Sequence, residues 1–488
     1  MYICMVSTEM APAAKVGGLA DVVTALSREL IKMGHQVEVI MPMYSCMRYD
    51  QIEDLHCVYE ELWVPHYGEW RAEKVFQGTV AGVPTNFITG SNYTERNSIY
   101  GLDNDIFCFT YFSRAALEYM YKTNRRPEII HCHDWGVALV PVLYYELYGE
   151  LGWNDARCVF TIHNNECQGL CWYGDKLLGM VGMDCGRVFT PDKHRDEHKH
   201  NCINLMKGAF VYSNFITTVS PTFASEMKTR EGGRGLDGLL NRFSDKFGGV
   251  INGIDYDVWN PATDRKLAAN YSRDDFDRKY ENKRALREWL HLEDAWRPII
   301  SVVSRLTLQK GLNLIKHAVR SSLAMNAQFV LLGESPDGNV NGDFWNLKNS
   351  LGGNPHVHLW IGYHEDLAHL IYAGSDLFLI PSLFEPCGLT QLISLRYGTV
   401  PIVRRTGGLN DTVFDIDHSG RGVEGSNGYS FGDANDQALD EAMGRAVRCW
   451  FDAPDIFHKL ALNGMAFDYS WKQPAKDYEN IYNYIKAK

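Results

Sequence analysis

The sequence predicts an α/β protein built from two doubly wound parallel sheets. Three observations carry this reading. A strand–loop–helix–strand order opens the chain, the same order returns after Pro298, and 488 residues are too many for one ordinary domain but suit two. A composition of 45% hydrophobic and 22% charged residues is that of an ordinary globular protein with enough apolar material for two cores.

Taken in order, Tyr2-Ile3-Cys4-Met5-Val6 is short and apolar enough for a buried strand. The loop Lys15-Val16-Gly17-Gly18 comes next. Leu19, Val22, Val23, Leu26, Leu30 and Met33 then recur at helical spacing, Gly34 stops the helix, and Val37 to Met41 is the next strand. Further strands are expected at Ile129 to His131 and Cys158 to Ile162, with a helix through Val140 and Leu143 between them. The second set runs from a strand at Ile299 to Val303 through a helix from Leu312 to strands at Gln328 to Leu332, Leu377 to Pro381 and Val400 to Val403. Gly248 to Asp255, short and glycine-rich, is expected to be the hinge, and the polar stretch from about Thr263 to Trp296 to be rich in helix. Trp471, Tyr478, Ile481, Tyr482 and Ile485 mark an amphipathic terminal helix. Two such halves facing each other would bring the carboxyl ends of both sheets to one cleft, where ligands of these sheets bind.

Sixty acidic against forty-eight basic residues give a net charge of −12, which argues against nucleic acid as a partner. Twelve scattered cysteines with no Cys-x-x-Cys pair read as reduced thiols of a cytosol-like compartment. Met1 to Ser7 reads as a strand, and Lys15 comes too soon after it for a cleavable leader. No apolar run approaches the ~20 residues of a membrane span, so a soluble protein is expected.

The residues that carry chemistry sit in the loops after predicted strands. Gly17-Gly18 lets backbone come close to a ligand at a helix N-terminus, and Lys15 adds positive charge there, although a Gly-Gly pair alone is compatible with a plain turn. Arg305 and Lys310 are placed so that both reach one diphosphate, Arg as a planar fork and Lys as a point charge; two solvated surface cations are the plainer alternative. In Phe384-Glu385-Pro386-Cys387-Gly388-Leu389-Thr390 the Cys-Gly turn should open a helix with free amides for phosphate while Glu385 points at sugar hydroxyls, or merely caps the helix. His163-Asn164 and His131-Cys132-His133-Asp134 end strands, where a histidine either contacts a sugar or is a satisfied core residue. Asn252-Gly253-Ile254-Asp255 is a tight turn. His194, His198 and His200 stand at helical spacing and have the look of a metal site, but a solvated polar loop is the expectation.

Lys15-Val16-Gly17-Gly18-Leu19-Ala20-Asp21, His131-Cys132-His133-Asp134-Trp135, Thr161-Ile162-His163-Asn164, Gln168-Gly169, Asn252-Gly253-Ile254-Asp255, Arg305-Leu306 with Gln309-Lys310-Gly311, Gly362-Tyr363 and Glu385-Pro386-Cys387-Gly388-Leu389-Thr390-Gln391 succeed one another over nearly the whole chain. In this order they resemble bacterial glycogen synthases and plant starch synthases, the retaining family-five glycosyltransferases of the GT-B fold. Ala20, Thr24, Glu231 to Leu236 and Ile393 look closest to the class three and four starch synthases and their bacterial relatives. Two departures stand out. Asn165-Glu166-Cys167 replaces a stretch where the family usually has an aromatic residue, and Ile393 stands where the wider set of retaining GT-B enzymes has a second Glu, as it does in family five generally.

The resemblance implies two Rossmann-like domains facing a central cleft. Residues 1–247, completed by a terminal helix at 467–488, would form the acceptor side, and 248–466 would bind the nucleotide-sugar. The implied reaction moves glucose from ADP-glucose to the non-reducing end of an α-1,4-glucan or malto-oligosaccharide with retention. Lys15, Arg305 and Lys310 would neutralise the diphosphate. Gly17, Gly18, Leu389 and Thr390 would offer it amides, and Tyr363 would pack on the adenine. Asp21, Asp134, His163, Asn252, Glu385, Cys387 and Gly388 would surround the glucose, with His163, Glu385, Arg305, Lys310, Asp21 and Asn252 as the catalytic set. No cofactor or metal, no nucleic acid and no membrane is implied, and the setting would be the bacterial cytoplasm, or the plastid stroma after removal of a transit peptide. A UDP-glucose-dependent retaining glucosyltransferase and a non-catalytic glucan-binding protein are the alternatives.

Overall fold

The opening apolar run, Tyr2–Val6, becomes the middle strand of a nine-stranded sheet. It pairs in parallel with Gln36–Pro42 on one side and Ile129–His133 on the other. These strands are buried on both faces, which is why they read as continuous apolar runs and not as alternating ones. The computed structural model describes residues 1–488 and divides into two units, Met1–Asn252 with Trp471–Lys488, and Gly253–Ser470. The boundaries thus fall after Asn252 and Ser470 and not after residues 247 and 466.

In the first unit the sheet continues through Arg157–Ile162, Phe215–Thr218 and Phe247–Gly249 on one flank, and through Val83–Ile88, Glu69–Val80 and Glu53–His66 on the other. The boundary between the units falls within the expected hinge Gly248 to Asp255, but the first two residues of that span belong to the strand Phe247–Gly249. This strand pairs with Phe215–Thr218, and a Cβ at Gly249 would lie 2.1 Å from the Ser220 carbonyl oxygen, so glycine is there for close packing. The last three strands of the other flank were not foreseen as a meander. Glu69–Val80 runs antiparallel to both neighbours, and Tyr67-Gly68, both at positive φ, make the tight turn at one end. Glu53, Asp54, Glu60 and Glu61 put charge on the edge strand, which discourages pairing with another chain.

The helix Lys472–Lys486 belongs to this unit although it ends the chain. Tyr478, Tyr482 and Ile485 are buried along one stripe, and the Tyr482 hydroxyl lies 2.8 Å from Nδ1 of the buried His131. The other His131 nitrogen meets Thr161 Oγ1 at 2.7 Å. His131 is therefore a satisfied core histidine. His194 is also buried, packed so closely on Gly208 that a Cβ there would lie 2.0 Å from its Nε2. It is not part of the expected solvated loop, and no three His, Cys, Asp or Glu side chains converge there or elsewhere in a way that could hold a metal ion.

The second unit carries a six-stranded, all-parallel sheet. Its order is Val357–Ile361, Gln328–Glu334, Ile299–Arg305, Leu377–Ile380, Val400–Arg404, Tyr429–Phe431. Between Thr263 and Trp296 the only α-helix is Lys279–Leu290. The segment before it is held by side chains instead: Asp264 accepts from the Tyr397 hydroxyl at 2.6 Å and lies 2.7 Å from His369 Nδ1, and Trp259 stacks on the His369 ring at 4.0 Å. No helix in the chain is long and apolar enough to cross a membrane.

Candidate active site

In the first unit the predicted residues gather at the carboxyl ends of three adjacent strands, Tyr2–Val6, Ile129–His133 and Arg157–Ile162. Lys15 and Asp21 form an ion pair at 2.7 Å across the loop and first turn of the helix Gly18–Lys32, both partly open to solvent. The loop itself is shaped by Glu9, a residue that sequence reasoning missed. Its buried carboxylate accepts from the amides of Val16 at 2.5 Å and Gly17 at 3.0 Å. The Gly17 amide, expected to be offered to phosphate, is therefore already taken. Gly17 and Gly18 form the turn, and Gly18 opens the helix Gly18–Lys32. Nothing in the local pattern Ser7-Thr8-Glu9 gives Glu9 away, since its partners lie seven and eight residues on.

Asp134 comes directly after the strand Ile129–His133 at φ 64°, an unusual backbone for a residue with a side chain. This turn aims its Oδ1 at the amides of His163, 3.0 Å, and Asn164, 3.4 Å. Burial pushes the Asp134 carboxyl up to about 7 against the pull of those two amides, and the charge of Glu9 adds to the rise. His163 ends the neighbouring strand with Nε2 3.1 Å from Nδ1 of His133. Burial holds His163 down to about 3 and His133 well below the ordinary histidine range, so both rings are neutral. Asn252, at the end of this unit, is buried with its side-chain oxygen lacking a partner, so a hydroxyl donor could be taken there.

The raised carboxyl of Asp134 has a definite consequence for stability. A group that titrates higher in the folded than in the unfolded chain holds its proton more tightly when folded, so its contribution is complete below about pH 4 and is lost as pH rises to about 7. Asn cannot titrate. The Tm of the wild type relative to Asp134→Asn should accordingly fall as pH rises from about 4 to about 7, and a difference constant over that range would show that Asp134 ionises normally.

In the second unit the site is two loops tied together. The strand Ile299–Arg305 lies beside Leu377–Ile380, so the loops that leave them are neighbours. Leu383 donates its amide to Gln309 at 2.8 Å, Gln309 Nε2 donates to the Phe384 carbonyl at 3.2 Å, and Lys310 Nζ meets Glu385 Oε2 at 2.5 Å. Ser382 Oγ donates to the same Glu385 oxygen at 2.9 Å, leaving Oε1 without a protein donor. Glu385 is thus not a helix cap. Gly311 at φ 75° lets this approach happen, since a Cβ there would lie 2.3 Å from the Pro381 carbonyl oxygen.

Beneath Glu385 to Cys387 lies a second glycine pair that the sequence reading passed over. A Cβ at Gly407, φ 45°, would lie 1.9 Å from the Glu385 carbonyl oxygen, and one at Gly408 would lie 2.2 Å from that of Cys387. Gln391 Nε2 ties the loop from the other side, donating to the carbonyls of Cys387 and Gly388. Gly388, in the left-handed region, turns the chain into the helix Thr390–Arg396, and the amides of Leu389 and Thr390 find no acceptor in the protein. Arg305 is exposed and makes no ion pair, and Tyr363 is 79% exposed. Two clusters result. Lys15, Asp21, Asp134 and His163 come together in one unit, and Arg305, Lys310 and Glu385 to Thr390 along one sheet edge of the other.

Among known proteins, residues 2–242 match the model of the starch synthase catalytic domain and residues 289–459 that of glycosyl transferases group 1. Glycogen synthase 2 of Methylococcus capsulatus is 50% identical over 99% of this chain and 100% of its own length. Glycogen synthase 1 of Nitrosococcus oceani is 47% identical over 100% of both. Among solved structures, the catalytic domain of starch synthase IV from Arabidopsis thaliana, bound to ADP and acarbose, superposes with a TM-score of 0.95 at 43% identity, over 100% of this chain and 99% of that one. The nine-stranded sheet with its parallel centre and the all-parallel six-stranded sheet, with their helices, are those of the GT-B fold.

Proposed function

The chain belongs to the glycogen and starch synthase family of glucosyltransferases, and from that premise we propose that its donor is ADP-glucose and its acceptor the non-reducing end of an α-1,4-glucan, with retention of configuration. A nucleotide-sugar donor and a glucan acceptor go with the family. The observation that carries the reading is the Lys310–Glu385 pair at 2.5 Å, with Arg305 unpaired at the same sheet edge and the amides of Leu389 and Thr390 open beside it. Support for adenine comes from the relative of 43% identity, whose structure holds ADP.

Glucosyl transfer passes through an oxocarbenium-like state while negative charge grows on the departing diphosphate. Arg305 and Lys310 would face that growing charge, so their attraction is larger in the transition state than before it. Glu385 Oε1 would accept a glucose hydroxyl, and neutral His163 would orient the ring without repelling its positive charge. The diphosphate itself would take the acceptor proton. Since protein cations and amides supply the positive field, no metal is needed on this reading, and the setting is the bacterial cytoplasm.

The test is glucose incorporation into glycogen from ADP-glucose and from UDP-glucose in parallel, with chelator present. Incorporation from ADP-glucose alone is expected. Incorporation from UDP-glucose instead would overturn the donor assignment, and activity restored only by a divalent cation would overturn metal independence.

A further inference from the structure

The second unit has a cavity that the reaction does not use. It measures about 400 Å³ and opens at the amino-terminal edge of the six-stranded sheet. Ala295 and Trp296 line it just before the strand Ile299–Arg305, Asp376 just before Leu377–Ile380, and Gly398 just before Val400–Arg404. Arg305 and Glu385 stand at the opposite ends of these strands or just beyond them, so the cavity and the candidate active site lie at opposite edges of one sheet.

Its walls are aromatic. Trp296 is 78% exposed although its ring lies against that of Trp450, centroids 4.9 Å apart. Trp450 is buried and held from behind, its indole N–H donating to Asp376 at 3.2 Å and Lys283 Nζ lying 4.9 Å over its ring. Tyr280, 45% exposed, lines the same cavity from the helix Lys279–Leu290. An indole that remains exposed on a rigid second indole offers a flat apolar face to solvent at the mouth of a concavity.

The cations in the cavity wall are already matched. Lys279 Nζ lies within 3.2 Å of four protein oxygens, Lys283 pairs with Asp376 at 2.7 Å, and Arg287 pairs with Asp294 at 2.7 Å. Arg284, exposed and with no ion-pair partner, His458, the Tyr280 hydroxyl and the Trp296 indole N–H are left to hydrogen-bond a guest. A phosphorylated ligand would ask for more unpaired positive charge than this. A flat aromatic face with a few polar side chains fits the apolar C–H face and ring of hydroxyls of a neutral sugar.

We propose that the cavity walled by Trp296, Trp450 and Tyr280 is a second glucan-binding site, which holds a remote stretch of the polymer that the active site extends. The inference rests on the glucan-acceptor reading above. A polymer held at two points reaches the active site at a raised effective concentration, whereas a chain too short to span both gains nothing.

Trp296→Ala removes the exposed ring and leaves Trp450 and the buried polar network in place. The expected result is a 5- to 10-fold higher KM for glycogen, with unchanged kcat, unchanged KM for the donor and unchanged kinetics on maltotriose. Retardation on a gel containing glycogen, which needs no turnover, should weaken in parallel, so loss of retardation without detectable activity in the wild type would fault the reaction and not the site. Maltoheptaose should also quench tryptophan fluorescence in the wild type and quench it less in Trp296→Ala. Equal glycogen KM and equal retardation for the two proteins would overturn the proposal. So would an equal rise in KM for maltotriose, or quenching at this site by ADP or inorganic phosphate in place of maltoheptaose.

Discussion

Lys310→Ala should lower kcat by about two to three orders of magnitude while changing the KM for the nucleotide-sugar much less. Lys310 is in place before any ligand arrives. Its Nζ is held at 2.5 Å by Glu385, whose oxygen is fixed in turn by Ser382, and the glycine at 311 allows the close approach of the two loops. A cation held this way need not reorganise when charge builds on the departing diphosphate, which is the condition for a large electrostatic contribution. The substitution also leaves Glu385, whose side chain is 9% exposed, without its cationic partner, and breaking a buried pair from one side costs about 3–5 kcal/mol when burial is complete. Lys310 is one-fifth exposed, so the cost here is at the low end or below it. The two effects separate by measurement. Lys310→Arg keeps the charge and should recover most of the stability but only part of kcat, because a planar fork does not put its charge where an ammonium does. A near-normal kcat for Lys310→Ala would remove Lys310 from the catalytic set.

The parts of this site that could be read from sequence are those with a local signature. A strand buried on both faces is an uninterrupted apolar run, as Tyr2–Val6 and Leu377–Ile380 are, and in a doubly wound sheet the loop leaving the carboxyl end of such a strand is where ligands bind. That brings Lys15, Asp134, His163, Arg305, Lys310 and Glu385 into view together. The parts not read depend on contacts between distant segments. Glu9 matters because its carboxylate meets two amides of a later loop, and Gly407 because another loop passes within van der Waals distance of its Cα. The antiparallel strands from Glu53 to Ile88 were missed for a different reason. Glu53–His66 is exposed at most alternate positions, so its apolar residues are too diluted by charge to stand out. His194 was misjudged because its neighbours Arg195, Asp196 and Glu197 are polar, while the ring turns inward onto Gly208.

His163→Ala should cost about two to three orders of magnitude in kcat with little change in Tm. The ring is half-buried, shielded enough to stay neutral but outside the apolar core cluster of this unit. It ends a strand at the sheet edge, its backbone amide is held by Asp134, and its Nε2 meets Nδ1 of His133 at 3.1 Å. The tautomer of this neutral pair is set by the surroundings. Nε2 of His133 is buried and has no partner. An N–H left unpaired in that place is costlier than a bare acceptor, so the proton of His133 belongs on Nδ1, where it is donated to His163 Nε2. His163 then carries its own proton on Nδ1, the N–H that the proposed reading assigns to a sugar oxygen. Two results check this. Because burial keeps His163 neutral down to about 3, activity should show no loss from its protonation between pH 8 and pH 5. His133→Ala should keep the His163 ring but release its tautomer, lowering kcat by about tenfold with the donor KM nearly unchanged. Wild-type kcat in His133→Ala would show that the pair does not set the tautomer, and wild-type kcat in His163→Ala would take this face of the first unit out of the chemistry.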